Sequence, residues 1–224
     1  MKKLIVAIDG PAGAGKSTVA KRLAQELGYT YMDTGAMYRA FAWKVMQDEI
    51  DLGNEKALRE ILQRTRIDLK KEVGRPRVFL DGFDVTDQIR TPELSQMASK
   101  VSTVKAVRER MVELQRAMGR EGGVVAEGRD IGTVVFPEAE VKVYLDAGRE
   151  ERAKRRFEEL KAQGKKVSLK KTLEDMDERD RRDQGRELAP LRKADDAVVI
   201  DSTRLDVEGV MERIMATVRN KIPI

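Results

Sequence analysis

The stretch Leu4-Ile5-Val6-Ala7-Ile8-Asp9-Gly10-Pro11-Ala12-Gly13-Ala14-Gly15-Lys16-Ser17 decides the fold. Leu4 to Ile8 is an unbroken apolar run rich in β-branched residues. Such a run suits a strand covered on both faces, as in a parallel sheet. Gly10 to Ser17 matches G-x-x-x-x-G-K-[ST] without a gap. Val19, Ala20, Leu23, Ala24 and Leu27 then recur at helical spacing, and Gly28 stops that helix. Strand, glycine turn and helix in this order predict a phosphate-binding loop. The glycines let backbone N–H groups curl around phosphate oxygens, and the helix offers its positive N-terminus to the same anion. Lys16 adds a point charge at the β- and γ-phosphates, and the Ser17 hydroxyl can ligate Mg²⁺. Gly10, Pro11, Ala12, Gly13, Ala14, Gly15, Lys16, Ser17 and Thr18 are therefore the candidate residues for holding ATP with Mg²⁺.

Outward from this loop the pattern alternates. Tyr29 to Met32 reads as a second strand ending at Asp33. Helices are expected from about Ala36 to Met46 and from Glu55 to Arg64. Arg66 to Val85 instead alternates at period two, with turn signals at Gly74-Arg75-Pro76 and Asp81-Gly82. Asp-Gly between apolar runs marks a tight hairpin, so a small antiparallel ribbon is expected there. Thr91-Pro92-Glu93 starts a helical pattern that continues to about Met118. Gly123 to Ala126, Val141 to Leu145 and Ala197 to Ile200 read as buried strands. Glu150 to Gln163, Leu169 to Gln184 and Val207 to Val218 read as helices.

Five short apolar strands alternating with helices predict an α/β fold, a P-loop NTPase-type five-stranded parallel sheet flanked by helices. It carries a small antiparallel β insertion and a helical lid. Residues 1–34, 101–148 and 188–224 are expected to form the core. Residues 35–100 would form the insertion with its ribbon, and 149–187 an arginine-rich lid. Ligands in such sheets bind beyond the carboxyl ends of the strands. That points to Asp9 to Ser17, Asp33 to Arg39, Glu127 to Asp130, and Asp146 onward.

Composition removes whole classes of chemistry. The 224 residues include no cysteine and no histidine. Thiolate metal sites, disulfides, His-based triads and His–metal sites are excluded. The net charge of +5 suits an acidic substrate and fits nucleic acid as well. Leu4 to Ile8 is too short for a signal sequence, and no stretch approaches the roughly 18 apolar residues of a membrane span. A cytoplasmic protein, with no membrane partner, is the expectation. With no long apolar stripe or heptad run, a monomer is expected.

Three further segments carry a family resemblance. Asp33-Thr34-Gly35-Ala36-Met37-Tyr38-Arg39 resembles the monophosphate-binding turn of nucleoside monophosphate kinases. Glu127-Gly128-Arg129-Asp130-Ile131-Gly132-Thr133-Val134-Val135-Phe136-Pro137 resembles a segment of bacterial cytidylate kinases. Glu178-Arg179-Asp180-Arg181-Arg182-Asp183 through Arg186, then Ala189-Pro190-Leu191, resembles the end of their lid. The resemblance runs over essentially the whole chain. It implies ATP and CMP or dCMP as substrates. Thr34, Tyr38 and Arg39 would hold the ribose and phosphate side of the acceptor. Arg108 and Arg129 would clamp its phosphate, with Asp130 close by and Arg186 joining the cluster. Ser99, Arg179 and Asp183 would read the cytosine or sugar. Arg152 and Arg156 of the lid would serve the ATP phosphates. Lys16, Arg129, Asp130 and Arg179 are the catalytic candidates.

Physical chemistry supports this type of assignment. A guanidinium fork binds phosphate bidentately and stays charged. An acceptor phosphate is already nucleophilic near neutral pH, so no histidine base is needed. Plainer readings stand beside these. Ser17 and Thr34 could be helix N-caps, Arg129 and Asp130 a surface ion pair, and the basic helices solvated faces. Asp146, Asp33 and Asp130 compete for the carboxylate that orders the outer Mg²⁺ shell. Kinases of other acceptors are one rival class. A basic nucleic-acid-binding ATPase is another, but the 4% aromatic content leaves few rings for base stacking. No nucleic acid partner is expected.

Overall fold

The structure is a computed structural model and describes residues 3–72 and 75–221. In chain order, β1 (Ile5–Asp9) leads through the glycine turn into α1 (Lys16–Leu27), then β2 (Thr30–Asp33) and α2 (Thr34–Gln47). Next come α3 (Glu55–Arg64) and the strands β3 (Ile67–Glu72), β4 (Arg75–Leu80) and β5 (Phe83–Asp84). The helices α4 (Pro92–Val101) and α5 (Lys105–Met118) precede β6 (Val124–Gly128) and a short π-helix, Ile131–Val135. The chain closes with β7 (Val141–Asp146), α6 (Arg149–Ala162), α7 (Leu169–Gln184), β8 (Val198–Asp201) and α8 (Val207–Arg219).

Five of the strands form one parallel sheet in the order β2-β6-β1-β7-β8. β1 sits at its centre, and Val6, Ala7 and Ile8 are fully buried, as their unbroken apolar composition requires. Ile5 lies opposite Val124 and Asp9 opposite Gly128. The carboxyl ends of β1 and β6 therefore deliver Asp9-Gly10 and Gly128-Arg129 side by side. After β1 the chain builds one side of the sheet, then crosses to the other. The crevice at that reversal is where such sheets take their ligands.

Contacts divide the chain into two compact units. One is Met32–Arg120, and the other joins the residues before it to Glu121 and beyond. Each has its own core. Ile8, Leu23, Val125, Val143, Leu145 and Ile214 pack together in the sheet-bearing unit. Met37, Phe41, Leu58, Ile89 and Met111 pack together in the other. In the latter, β3, β4 and β5 form the expected antiparallel ribbon. Its Asp81-Gly82 turn has φ of 52° and 91°, the paired positive values of a two-residue hairpin turn. Gly74, the first residue of the other expected turn, lies outside the described residues, as does Val73 before it.

Two local features differ from the sequence reading. The helical pattern running to Met118 is broken into α4 and α5 at Ser102-Thr103-Val104. The hydroxyls of Ser102 and Thr103 donate to the carbonyls of Ser99 and Lys100, both at 2.8 Å. They satisfy the end of α4, and the extended Val104 starts α5 anew. The π-helix after Asp130 is the other feature, and nothing in its sequence announces it. Among the described residues no helix is long and apolar enough to cross a membrane.

Gly10 tests how tightly the central turn is packed. Its φ is +149°, and a Cβ placed there would lie 1.9 Å from the Leu145 carbonyl oxygen. Gly10→Ala should lower stability by about 2 kcal/mol or more, read from the denaturant midpoint. At Gly82 a Cβ would meet nothing within 4 Å. Gly82→Ala should cost only about 1 kcal/mol, from backbone strain alone.

Candidate active site

Gly10 to Gly15 wrap around the start of α1. Gly15, not a side chain, occupies its N-cap. The first helical bond runs from Val19 N–H to Gly15 O at 3.2 Å. The amides of Lys16, Ser17 and Thr18 thus precede the helix's own bonding pattern, and no acidic residue occupies the first turn. A helix end of this kind favours an anion. Ser17 and Thr18 are exposed. Ser17 does not cap α1, so its hydroxyl remains suited to a metal. Among the described residues no three acidic side chains gather to hold a metal by themselves. Mg²⁺ fits here as an ion carried in with the nucleotide, its shell filled largely by phosphate and water.

Lys16 is buried, and its ammonium donates to Pro11 O at 2.7 Å. Burial, reinforced by the charge of Arg129, lowers its pKa to about 7. Glu127 and Asp9 work in the opposite sense, and Arg179 adds to the lowering. Arg129 Nε donates to Asp183 Oδ2 at 3.0 Å, and Arg179 Nε lies 3.7 Å from the same oxygen. Arg186 Nε donates to the Asp183 carbonyl at 3.3 Å. One buried carboxylate therefore gathers two arginines whose charges reach the ammonium of the loop, and the main chain of the same residue holds a third. Arg129 is no isolated surface ion pair: its side chain is 15% exposed and that of Asp183 3%.

In the Met32–Arg120 unit, Asp33 caps α2 by accepting from Ala36 N–H at 2.8 Å, so Thr34 is not the cap. Arg39 bonds the same Asp33 at 3.1 Å. Thr34 and Tyr38 are buried along this first part of α2. Ser99 and Arg108, both buried, flank the α4–α5 turn. Arg108 Nη1 reaches Ser102 O at 3.4 Å, and Ser102 bonds Ser99 in turn. Helix α2 packs on α4, so both groups belong to one folded unit.

The basic helices are anchored to the loop. Arg152 is buried and donates to Ala147 O, to Ala12 O, and at 2.5 Å to Asp180. Arg155 holds Ser202 through its side chain at 3.0 Å and its carbonyl at 2.7 Å. Ser202 passes this on to Ala14 O at 3.1 Å. Arg156 pairs with Glu159 on its own helix at 2.7 Å. Arg149 pairs with Asp177, and Arg182 with Glu178.

Three residues without an individual role in the sequence reading belong to this site. Ser202 braces the loop from the far end of the chain. Asp180 receives Arg152. Asp9 accepts from Ile131 N–H at 2.8 Å and Gly132 N–H at 2.7 Å. Burial pushes the Asp9 carboxyl up to about 7, against those two bonds, which pull it down. Its place at the end of the strand before the loop was the available signal. Ser202 and Asp180 gave none, because their partners are distant in sequence.

A glycine loop with a buried lysine, on a parallel sheet of this order, defines a P-loop nucleotide-binding protein. The cytidylate kinase family model matches residues 6–220. A cytidylate kinase of Caldicellulosiruptor bescii is 53% identical over 96% of this chain and 95% of its own length. That of Bacillus subtilis (strain 168) is 49% identical over 98% of each. A shikimate kinase structure from Acinetobacter baumannii, in complex with shikimate, aligns at TM-score 0.50 and 14% identity. It covers 99% of this chain and 96% of its own, and it shares the fold alone. The chain belongs to the cytidylate kinase family, and so to the nucleoside monophosphate kinases.

The lowered Lys16 pKa has a measurable consequence. Between its pKa of about 7 and its ordinary value of 10.5, Lys16 is largely neutral in the free protein. Incoming phosphate favours the charged form, so ATP binding at about pH 8 should take up protons. At about pH 6 Lys16 is already charged, and the uptake should vanish. Calorimetry in buffers of different ionisation enthalpy reads this directly. Buffer-independent heats at the higher pH would contradict it.

Proposed function

We infer that this chain transfers the γ-phosphoryl group of ATP to CMP or dCMP, giving ADP and CDP or dCDP. The observation that carries the reading is the buried Lys16 at the glycine loop, beside the arginines held by Asp183. Family membership supplies the acceptor.

The transferring group passes through a transition state with negative charge spread over its oxygens. Catalysis then consists of positioning and electrostatic stabilisation. The amides of Gly13 to Thr18 and the Lys16 ammonium would hold the β- and γ-phosphates. The Ser17 hydroxyl would help hold Mg²⁺, which would supply charge neutralisation at those phosphates. Asp33 and Asp146 are already bonded to the amides of Ala36 and Ala147. Asp130, Asp33 and Asp146 stand as the candidates for the carboxylate that orders the outer shell. Arg129 and Arg179 would turn from Asp183 toward the transferring phosphoryl, with Asp130 beside them.

Thr34, Tyr38, Arg39 and Arg108 would hold the acceptor's phosphate and ribose, with Arg129 and Arg186 completing the clamp. Ser99, Arg179 and Asp183 would read its base and sugar. Cytosine offers an exocyclic amine that a hydroxyl or carboxylate can accept. We assign residues 1–34, 101–148 and 188–224 to the core, 35–100 to acceptor binding and 149–187 to a lid. Lid closure would bring Arg156 to ATP, beside Arg152 already held at the loop by Ala12 O, and expel water, which would otherwise take the phosphoryl group. A monomer acting in the cytoplasm, with no nucleic acid partner, completes the reading.

ADP release from ATP and Mg²⁺ should be strong with CMP and dCMP and weak with UMP, AMP and dTMP. Turnover with another acceptor alone would overturn the acceptor assignment. RNA-stimulated ATPase without acceptor dependence would overturn the kinase reading.

A further inference from the structure

The π-helix Ile131–Val135 begins immediately after Arg129 and Asp130, and its first amides have no main-chain acceptor within the helix. Asp130 holds the N-cap position, yet its side chain makes no capping bond. The cap comes from another strand. Asp9, the last residue of β1, places one carboxylate oxygen on Ile131 N–H at 2.8 Å and the other on Gly132 N–H at 2.7 Å. Both bonds are buried, and Asp9 is 4% exposed. Above its raised pKa of about 7 the carboxyl is ionised, and an ionised carboxylate with two amide partners at a helix N-terminus is a strong form of cap.

The position of this cap matters more than its strength. Asp9 lies opposite Gly128 in the sheet register and is joined directly to Gly10. A single side chain thus ties the root of the phosphate loop to the segment carrying Arg129 and Asp130. We propose that Asp9 is a positioning residue for phosphoryl transfer: by capping the π-helix from β1, it fixes Arg129 and Asp130 relative to the phosphate loop and leaves Asp130 out of the capping role. This rests on the acceptor role of Arg129 and Asp130 inferred above.

The surroundings explain why the geometry is demanding. Asp130 presents a like charge to Asp9, and Lys16 from α1 presents an opposite one. The Lys142 side chain of β7 packs against Gly132, and its ammonium pairs with Asp196. A Cβ on Gly132 would come within 3.2 Å of the Lys142 methylenes and 3.4 Å of Asp9 Oδ2. The amide of residue 132 reaches the carboxylate in a gap with no room to spare. An amide side chain cannot replace this carboxylate. Asn would keep one acceptor and turn an NH₂ donor toward the other N–H.

The test is steady-state kinetics of Asp9→Asn, with its melting temperature, beside the wild type. The wild type must first turn over CMP; if it does not, the acceptor reading fails, and this proposal with it. Given an active wild type, the variant should show a KM for CMP raised about tenfold to a hundredfold. Its KM for ATP should stay within about threefold, because the loop amides are untouched and Asp9 is the weakest of the named charges acting on Lys16. A folded variant with both KM values within about twofold of the wild type would overturn the proposal, as would an equal rise in both. Should the variant not fold, amide exchange of the wild-type protein decides. Ile131 and Gly132 should exchange far more slowly than loop amides. Exchange of both at loop rates would overturn the proposal.

Discussion

The site depends on one electrostatic constraint: positive charges crowded where water is scarce. Lys16 is buried, Arg129 and Arg179 both oppose its charge, and its ammonium has dropped from 10.5 to about 7. Nothing in a folding argument favours this. Buried cations cost free energy unless paired, and pairing each with its own carboxylate would relieve the cost. Here Asp183 is shared between Arg129 and Arg179 instead. The arrangement makes sense for a molecule that receives phosphate, whose charge favours the protonated lysine. Strain of this type is stored at functional sites and supported by the packing around them.

The surrounding fold supplies that support. β1 is buried on both faces and cannot shift, so the turn that follows it is fixed at its root. The loop carbonyls are gripped from outside, Ala12 by Arg152 and Ala14 by Ser202, which Arg155 holds in place. With its carbonyls engaged outward, the loop can turn its amides toward an anion. The basic helices are therefore not simply solvated surface. Part of their charge is used to hold the loop's shape, and Arg156, bonded only within its own helix, is held more lightly.

Much of this was legible in the chain. The run Leu4 to Ile8, the glycine turn and the spacing from Val19 to Leu27 are local signals, and each formed the expected element. Asp81-Gly82 adopted the turn its residues favour. The break at Ser102-Thr103-Val104 escaped because the apolar period continues across it. The hydroxyl-to-carbonyl bonds that end α4 leave no trace in periodicity. The π-helix escaped because its cap is Asp9, more than a hundred residues earlier in the chain. For the site the division is similar. Motifs named Lys16, Arg129 and Asp183, whereas Ser202, Asp180 and the second role of Asp9 exist only through long-range contact.

The most direct measurement is the melting temperature of Lys16→Met without nucleotide, set beside its turnover of ATP and CMP. Methionine keeps the length and apolar stem while removing the buried charge. If the cationic cluster is a cost retained for function, the variant should melt at or above the wild type while turnover falls about a thousandfold. A variant melting several degrees lower, with turnover within about tenfold of the wild type, would contradict the account, because Lys16 would then be a structural residue and not the phosphate's counter-charge.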